Sequence, residues 1–220
     1  MNFFLLNNAN EIEITGKVYP QISSYENWCK DNYNYLTSEL GPDKLPGKDI
    51  ILDYLNLDDK AILTDFLSVY NPIWGFILSD KVKKVFKEII LPEHKYSKVI
   101  IQQNKIKKNN YCWLQMVSKN SDKIMFSKSS FRLMKGLLPV TVDIRTFASV
   151  NEIFQFEKDN FRIKVKPNEI FIDYSKIQQD IFQLRVVNFD WIITDTVKKL
   201  IFKNGITGCE IKKIDWLKAI

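Results

Sequence analysis

The sequence predicts an α+β fold: a mixed, mainly antiparallel sheet with packed helices, organised around two strand–cap–helix units. Three observations carry that prediction. A short pattern is written twice, 115 positions apart, as Phe76-Ile77-Leu78-Ser79-Asp80-Lys81-Val82-Lys83-Lys84-Val85-Phe86 and Trp191-Ile192-Ile193-Thr194-Asp195-Thr196-Val197-Lys198-Lys199-Leu200-Ile201. Each copy is an apolar strand, a Ser/Thr-Asp stop and a basic amphipathic helix. Tyr111–Val117 is apolar on both faces, as a central strand is. Apolar residues make up 45% of the 220 residues, with 15 Phe, enough for a sizeable core, and only 7 Gly and 7 Pro argue against a disordered or fibrous chain.

Each element follows from local pattern. Residues 2–6 and 12–19 read as strands around the polar turn Asn7-Asn8-Ala9-Asn10. Ser23 with Glu26 three residues on forms a capping-box pattern, and Tyr25, Trp28, Cys29 and Leu36 share a face, which predicts a helix over 24–38. The Gly41-Pro42 to Pro46-Gly47 stretch is a breaker-rich loop. Ile50–Tyr54 reads as a short strand. Asp58-Asp59 are placed to cap a short helix carrying Ile62, Leu63, Phe66 and Leu67, ended by Asn71-Pro72. A strand over Ile73–Leu78 leads to Ser79, the predicted cap of a helix with Val82, Val85, Phe86, Ile89 and Ile90 inward and Pro92 as its stop.

Tyr96–Ile101 and Tyr111–Val117 read as two strands joined by a long loop, Gln102–Asn110. Residues 118–150 give no clear period. Ile153–Glu157 and Phe161–Lys166 alternate and predict a hairpin turning at Lys158-Asp159-Asn160. Tyr174–Asp180 reads as a helical turn. The apolar segments Ile181–Val187 and Asp190–Ile193 precede the second helix, for which Gly205 is placed to terminate the last turn. Gly208-Cys209-Glu210-Ile211 begins the last strand. Nothing marks a linker, so the chain reads as one globular unit. The apolar runs predict neither a membrane span nor a secretory leader. Three cysteines, Cys29, Cys112 and Cys209, are odd in number and far apart, which fits free thiols in a reducing cytoplasm.

Charge is unevenly spread. Residues 1–60 carry net −5 and residues 81–135 carry net +11, against +6 for the whole chain. A basic segment of this kind attracts an acidic partner or nucleic acid, or is simply a solvated lysine-rich surface. In Lys105-Ile106-Lys107-Lys108-Asn109-Asn110-Tyr111-Cys112-Trp113 basic residues adjoin aromatics, as in nucleic-acid binders. The lysines, however, fall in a predicted turn and the aromatics on an apolar strand, which favours a solvated loop beside core aromatics.

Chemical constellations are sparse. His94 is the only histidine, so a triad or histidine-based zinc site has too few members. No phosphate-cradling glycine motif is present. Pro42-Asp43 followed by Asp58-Asp59-Lys60 superficially matches metal-dependent nucleases, whose paired carboxylates hold a divalent ion while a lysine steadies water. That chemistry wants the acid-x-lysine on a rigid strand, whereas here it opens a predicted helix. The residue chemistry therefore nominates no catalytic, cofactor or metal site and points to a binding protein, not an enzyme.

Several segments resemble a family of bacterial immunity proteins of polymorphic and contact-dependent toxin systems, formerly a domain of unknown function. The likeness lies in Leu63-Thr64-Asp65-Phe66-Leu67, Leu78-Ser79-Asp80-Lys81-Val82, Leu91-Pro92-Glu93-His94-Lys95-Tyr96 and the strand at Tyr111–Val117. It continues in Asp122-Lys123-Ile124-Met125-Phe126-Ser127-Lys128-Ser129-Ser130-Phe131. Ile193-Thr194-Asp195-Thr196-Val197 and Gly205-Ile206-Thr207-Gly208-Cys209 resemble the family's closing signature. The resemblance falls within residues 59–220, and residues 1–58 match nothing in it. It implies a cytoplasmic protein that neutralises a cognate toxin domain by direct binding, with no catalytic residues and no cofactor. It does not say which surface meets the toxin. Such proteins are often acidic, whereas this chain is basic, which calls for a toxin with an acidic docking face or for contact through residues 1–60. A nucleic-acid-binding module using residues 81–135 and a metal-dependent nuclease are the alternative readings.

Overall fold

The computed structural model describes residues 1–17, 20–25, 44–45, 52–69, 75–135, 140–184 and 188–220. Among them the fold is α+β: three sheets, mostly antiparallel, with few and short helices. The first sheet has the order β11-β12-β1-β13, from Ile181–Leu184, Asn188–Thr194, Phe3–Asn8 and Cys209–Ile214. The second has the order β2-β3-β6-β7-β5-β4, from Ile22–Tyr25, Leu52–Leu57, Glu93–Gln103, Ile106–Val117, Phe76–Ser79 and Phe66–Leu67. The third has the order β14-β10-β8-β9, from Leu217–Ala219, Ile163–Ile172, Ser130–Lys135 and Val140–Arg145. Among the described strand pairs only β3·β6 and β10·β14 are parallel.

The apolar runs are explained by burial on both faces. In β1, Phe3 joins one core and Phe4 and Leu6 another, and in β12 Ile192 faces the first core while Trp191 and Ile193 face the second. The first sheet is thus a central layer. One side meets the third sheet through Phe131, Leu133, Val165 and Ile170. The other meets the second sheet and two helices through Phe66, Phe76, Leu78, Leu114, Val82 and Val197. The second sheet carries a further core on its far face, where Ile77 and Trp113 are fully buried. As its composition predicts, β7 is buried from Tyr111 to Val117 between β6 and β5. The third sheet differs: β8 and β10 alternate buried with open positions, so one face is turned to solvent.

Several expectations are corrected. Residues 12–15 form a single helical turn, α1 (Ile12–Thr15), instead of a strand. The Thr15 hydroxyl donates to the Glu11 carbonyl (2.8 Å) and the Gly16 N–H closes onto Ile12 O (2.7 Å). Ser23 does not cap a helix. It lies in β2, and its hydroxyl donates to the Asn56 carbonyl of the paired strand (3.2 Å). The remainder of the 24–38 helix, with Cys29, lies outside the described residues, as do Gly41–Asp43 and Ile50. Asp58-Asp59 open a turn, not a helix. Ala61 N–H reaches back to Asp58 O (3.0 Å), Ile62 N–H is drawn to Thr15 O (2.8 Å), and Phe66-Leu67 become β4.

The helix after Ser79, α2 (Asp80–Val85), stops short of the predicted Ile90 and runs into a 3₁₀ turn, Phe86–Glu88. The backbone of Ile90 is recruited elsewhere, as described below. Ile153–Glu157 is not a strand either. It lies within α3 (Val150–Asp159), whose first turn is a variant of the capping box: the Ser149 hydroxyl accepts from Glu152 N–H (3.2 Å) while the Glu152 carboxylate accepts from the N–H of Ala148, one residue before the cap (2.5 Å). The last helix, α4 (Asp195–Lys203), ends as predicted at Gly205. Ile206 N–H bonds Ile201 O and Gly205 N–H bonds Phe202 O, both at 3.1 Å, the paired closure of a Schellman motif. At its other end Thr194 offers no side-chain cap, whereas Ser79 does accept from Val82 N–H (3.4 Å).

The supposed loop 102–110 is mostly strand. Gln103 pairs with Ile106 across two residues, Asn104 and Lys105, at φ 51° and 65°. Two successive positive φ values mark a type I′ turn, which suits the right-handed twist of long hairpins and favours Asn-Gly. Lys105→Gly is therefore expected to stabilise the protein by about 0.5–1 kcal/mol by removing the left-handed strain of a lysine. A rise in the urea midpoint at unchanged slope would show it, and an unchanged or lower midpoint would contradict it.

Candidate functional site

Three of the segments quoted above, residues 63–67, 78–82 and 205–209, come together at one junction. Asp65 precedes β4 and its side chain is largely enclosed, with 14% exposure. Its carboxylate accepts from the Ser79 hydroxyl (2.7 Å), the Thr207 N–H (3.0 Å), the Thr207 hydroxyl (3.2 Å) and the Lys81 ammonium (3.3 Å). The backbone is braced as well: Ser79 N–H to Asp65 O (2.8 Å) and Phe66 N–H to Thr207 O (3.0 Å). Lys81 also donates to the Gly205 carbonyl (2.7 Å). Gly208 packs flush on this knot, with its carbonyl accepting from Ala9 N–H (2.9 Å). Burial opposes ionisation of Asp65, but the Ser79 hydroxyl, the Thr207 amide and Lys81 outweigh it and hold the carboxyl below its ordinary 3.8. Nearby, burial and then the Asp65 charge push the Cys209 thiol up to about 12, and burial pushes Cys112 to about 11. Both are therefore protonated and poor nucleophiles at neutral pH.

Asp180 occupies the corresponding place before β11. Its carboxylate accepts from the Thr194 hydroxyl and from Ile90 N–H, both at 2.9 Å. Thr194 N–H bonds Asp180 O (3.0 Å) and Asp180 N–H bonds Ile90 O (2.8 Å). Each aspartate thus ties its own hairpin to the chain that follows the other hairpin's helix. This draws Ile90 out of the helix predicted to contain it. Asp65 lies within a motif that sequence reasoning quoted, but its role was not legible there. Asp180 was missed, although it sits 115 positions after Asp65, the same offset as the doubled pattern.

The other candidates are dispersed. His94 is exposed, with Nδ1 2.9 Å from Pro92 O and its ring edge-on to Tyr96. Asp58 ion-pairs with Lys17 and accepts from Lys60 N–H (3.0 Å). The Lys17 hydrogen bond is the main reason its carboxyl lies below 3.8. Asp59 and Lys60 are exposed, and Asp43 lies outside the described residues. Asp58 and Asp59 border an open cavity of about 550 Å³ whose other walls include Asn104 and Lys105. Among the described residues no group of three His, Cys, Asp or Glu side chains could hold a metal ion.

The basic segment also divides. Lys105 and exposed Lys107 stand at the hairpin tip, while Tyr111 and Trp113 point into the core, where the Tyr111 hydroxyl donates to Thr64 O (2.8 Å). Lys83 and Lys198 lie over the rings of Tyr96 and Phe4 at 4.8 and 4.3 Å. The structure therefore does not bring the lysines and aromatics of 105–113 together as a stacking surface. No helix among the described residues is long and apolar enough to cross a membrane. Compared with protein-family models and with curated proteins, the chain matches none.

Proposed function

We propose that this protein works by surface recognition, as a cytoplasmic immunity protein that neutralises a cognate toxin domain by binding it. The observation that carries the reading is the junction at Asp65. Three of the segments that resemble the family, residues 63–67, 78–82 and 205–209, meet there and spend their polar groups on one another. The motif thus encodes an architecture, and recognition falls to the surface around it. Asp58, the acid best placed for the nuclease alternative, is likewise engaged by Lys17 and its own turn. A basic surface fits a toxin with an acidic docking face, because opposite potentials speed encounter.

Two strand–cap–helix units are the architectural part of this reading. Leu78 pairs with Phe66 and Ile77 with Leu67. In the second hairpin, Ile193 pairs with Ile181 and Ile192 with Phe182. Every one of these positions is shifted by 115, as are Asp65 and Asp180. The common register supports one supersecondary unit used twice and cross-tied through its aspartates.

The test is co-expression with the toxin encoded beside this gene. Growth is expected to be restored, and a stable complex is expected to survive size-exclusion chromatography. An active toxin that still kills, with no complex formed, would overturn the proposal.

A further inference from the structure

Among the described residues the third sheet ends in β9, a six-residue strand that pairs there only with β8, with Phe131↔Arg145, Arg132↔Ile144 and Leu133↔Asp143 in register. All six residues are exposed, and the aliphatic ones heavily so: Val140 59%, Val142 50% and Ile144 54%. An unpaired edge is a template for another strand, and proteins usually blunt it by shortness, charge or cover. Three of the other edges are blunted. β4 has two residues and its Phe66 N–H is taken by Thr207, β14 has three residues, and β13 presents exposed Lys212 and Lys213. β9 offers about 20 Å of extended backbone with aliphatic side chains instead.

Its surroundings are cationic. Arg132 lies opposite Ile144 and Lys166 opposite Arg132. Lys164 lies opposite Met134, Lys135 opposite Val140, and Arg145 is in the strand itself. The one acid in β9, Asp143, is occupied by Arg145 (3.1 Å) and by the Ile144 N–H (2.8 Å). Two copies joined edge to edge at β9 would bring two such cationic sheets side by side, which opposes self-association.

We infer that β9 is the docking edge for an extended acidic segment of the partner protein, added as a fifth strand beside Val140–Arg145. The toxin reading above supplies the partner, and this inference adds where it is met and by what chemistry. Main-chain hydrogen bonds give affinity in such β-addition, and alternate side chains give selectivity. Glutamate or aspartate at alternate positions would face Arg132 and Lys135 of the neighbouring strand β8, with Lys164 and Lys166 one strand further in adding to the positive field, while aliphatic residues would cover Val142 and Ile144.

The probe is a fluorescent ten-residue peptide of alternating valine and glutamate, added to the full-length protein. Salt-sensitive binding is expected, with amide exchange slowed across residues 140–145. The Val142→Glu/Ile144→Glu variant is expected to lose affinity at least about tenfold with unchanged thermal melting, since both side chains are exposed. Lys135→Glu, an exposed position on β8 that leaves β9 untouched, should also weaken binding. Equal binding of a valine–lysine peptide, protection elsewhere, or preference for an oligonucleotide would overturn the inference. So would concentration-dependent protection of 140–145 without peptide, which would assign the edge to a second copy. The toxin assay separates the two proposals. Rescue undiminished in the β9 variant removes the docking edge and leaves the immunity reading standing. Peptide capture at β9 without any rescue by the wild-type protein does the reverse.

Discussion

Gly208→Ala is expected to destabilise the protein by about 3–4 kcal/mol, a large share of a typical domain's stability. Gly208 has φ +82°, and a Cβ there would press into the carbonyl oxygen of Phe66 and lie 2.5 Å from Thr64 Oγ1. Neither neighbour can yield: Phe66 O belongs to β4, and Thr64 Oγ1 is held by Gln21 Nε2 (3.1 Å). Gly205→Ala is the control. Its φ of +56° is also left-handed, but a Cβ would meet nothing within 4 Å, so only the conformational cost of about 1 kcal/mol applies. Urea denaturation of both variants checks this. Equal losses would mean that the junction is looser than described.

Asp65→Ala is expected to cost about 2–4 kcal/mol, because four donors lose their acceptor together and the Thr207 amide is left without one. Asp180→Ala removes two donors' acceptor and should cost less. The pH dependence carries a sign that can be checked. Asp65 has a lower pKa folded than unfolded, so the unfolded chain binds the proton first as pH falls. Its stabilisation is complete well above pH 3.8 and is lost as acidification proceeds through the lower, folded value. The gap in melting temperature between wild type and Asp65→Asn should therefore be widest near neutrality and shrink below about pH 4. A gap independent of pH would show that the carboxylate's charge is not what the junction uses. Asp58, Asp173 and Asp195 also have lowered carboxyls, which makes the wild-type-minus-variant difference the quantity to follow.

What the sequence made legible is what local physics decides. The unbroken apolar run of β7 announces burial on both faces. Ser79 caps α2 and Gly205 closes α4, because hydroxyl caps and left-handed termini are set by their immediate neighbours. The misreadings are also physical. Ile153-Phe154-Gln155-Phe156-Glu157 alternates like a strand, yet Ser149 and Glu152 form a capping box four residues upstream, and that signal outranks a five-residue alternation. Ile12–Thr15 alternates too, but a single hydroxyl contact to Glu11 turns the chain. At Asp58–Leu67 distant backbone groups on Thr15 and Thr207 claim the hydrogen bonds that a helix would need. Such partners are 47 and 141 positions from Ile62 and Phe66 and leave no local trace. The junction was half visible: the 115-residue spacing of Ser79 and Thr194 persists 14 positions upstream of each, at Asp65 and Asp180. β9 lay in a stretch without clear period, although Val140, Val142 and Ile144 do alternate.

β1 is inserted between β12 and β13, so residues 3–8 complete a layer whose remaining strands are the last to be synthesised. At about 5–20 residues per second, about 10–40 s separate the emergence of Phe3 from that of Ile214. Throughout that interval Phe3, Phe4, Leu5 and Leu6 leave the ribosome with nowhere to go. The newborn chain must carry these four apolar residues exposed until β12 and β13 arrive, a natural handhold for chaperones. It also predicts that an amino-terminal fusion partner will hinder maturation more than a carboxy-terminal one.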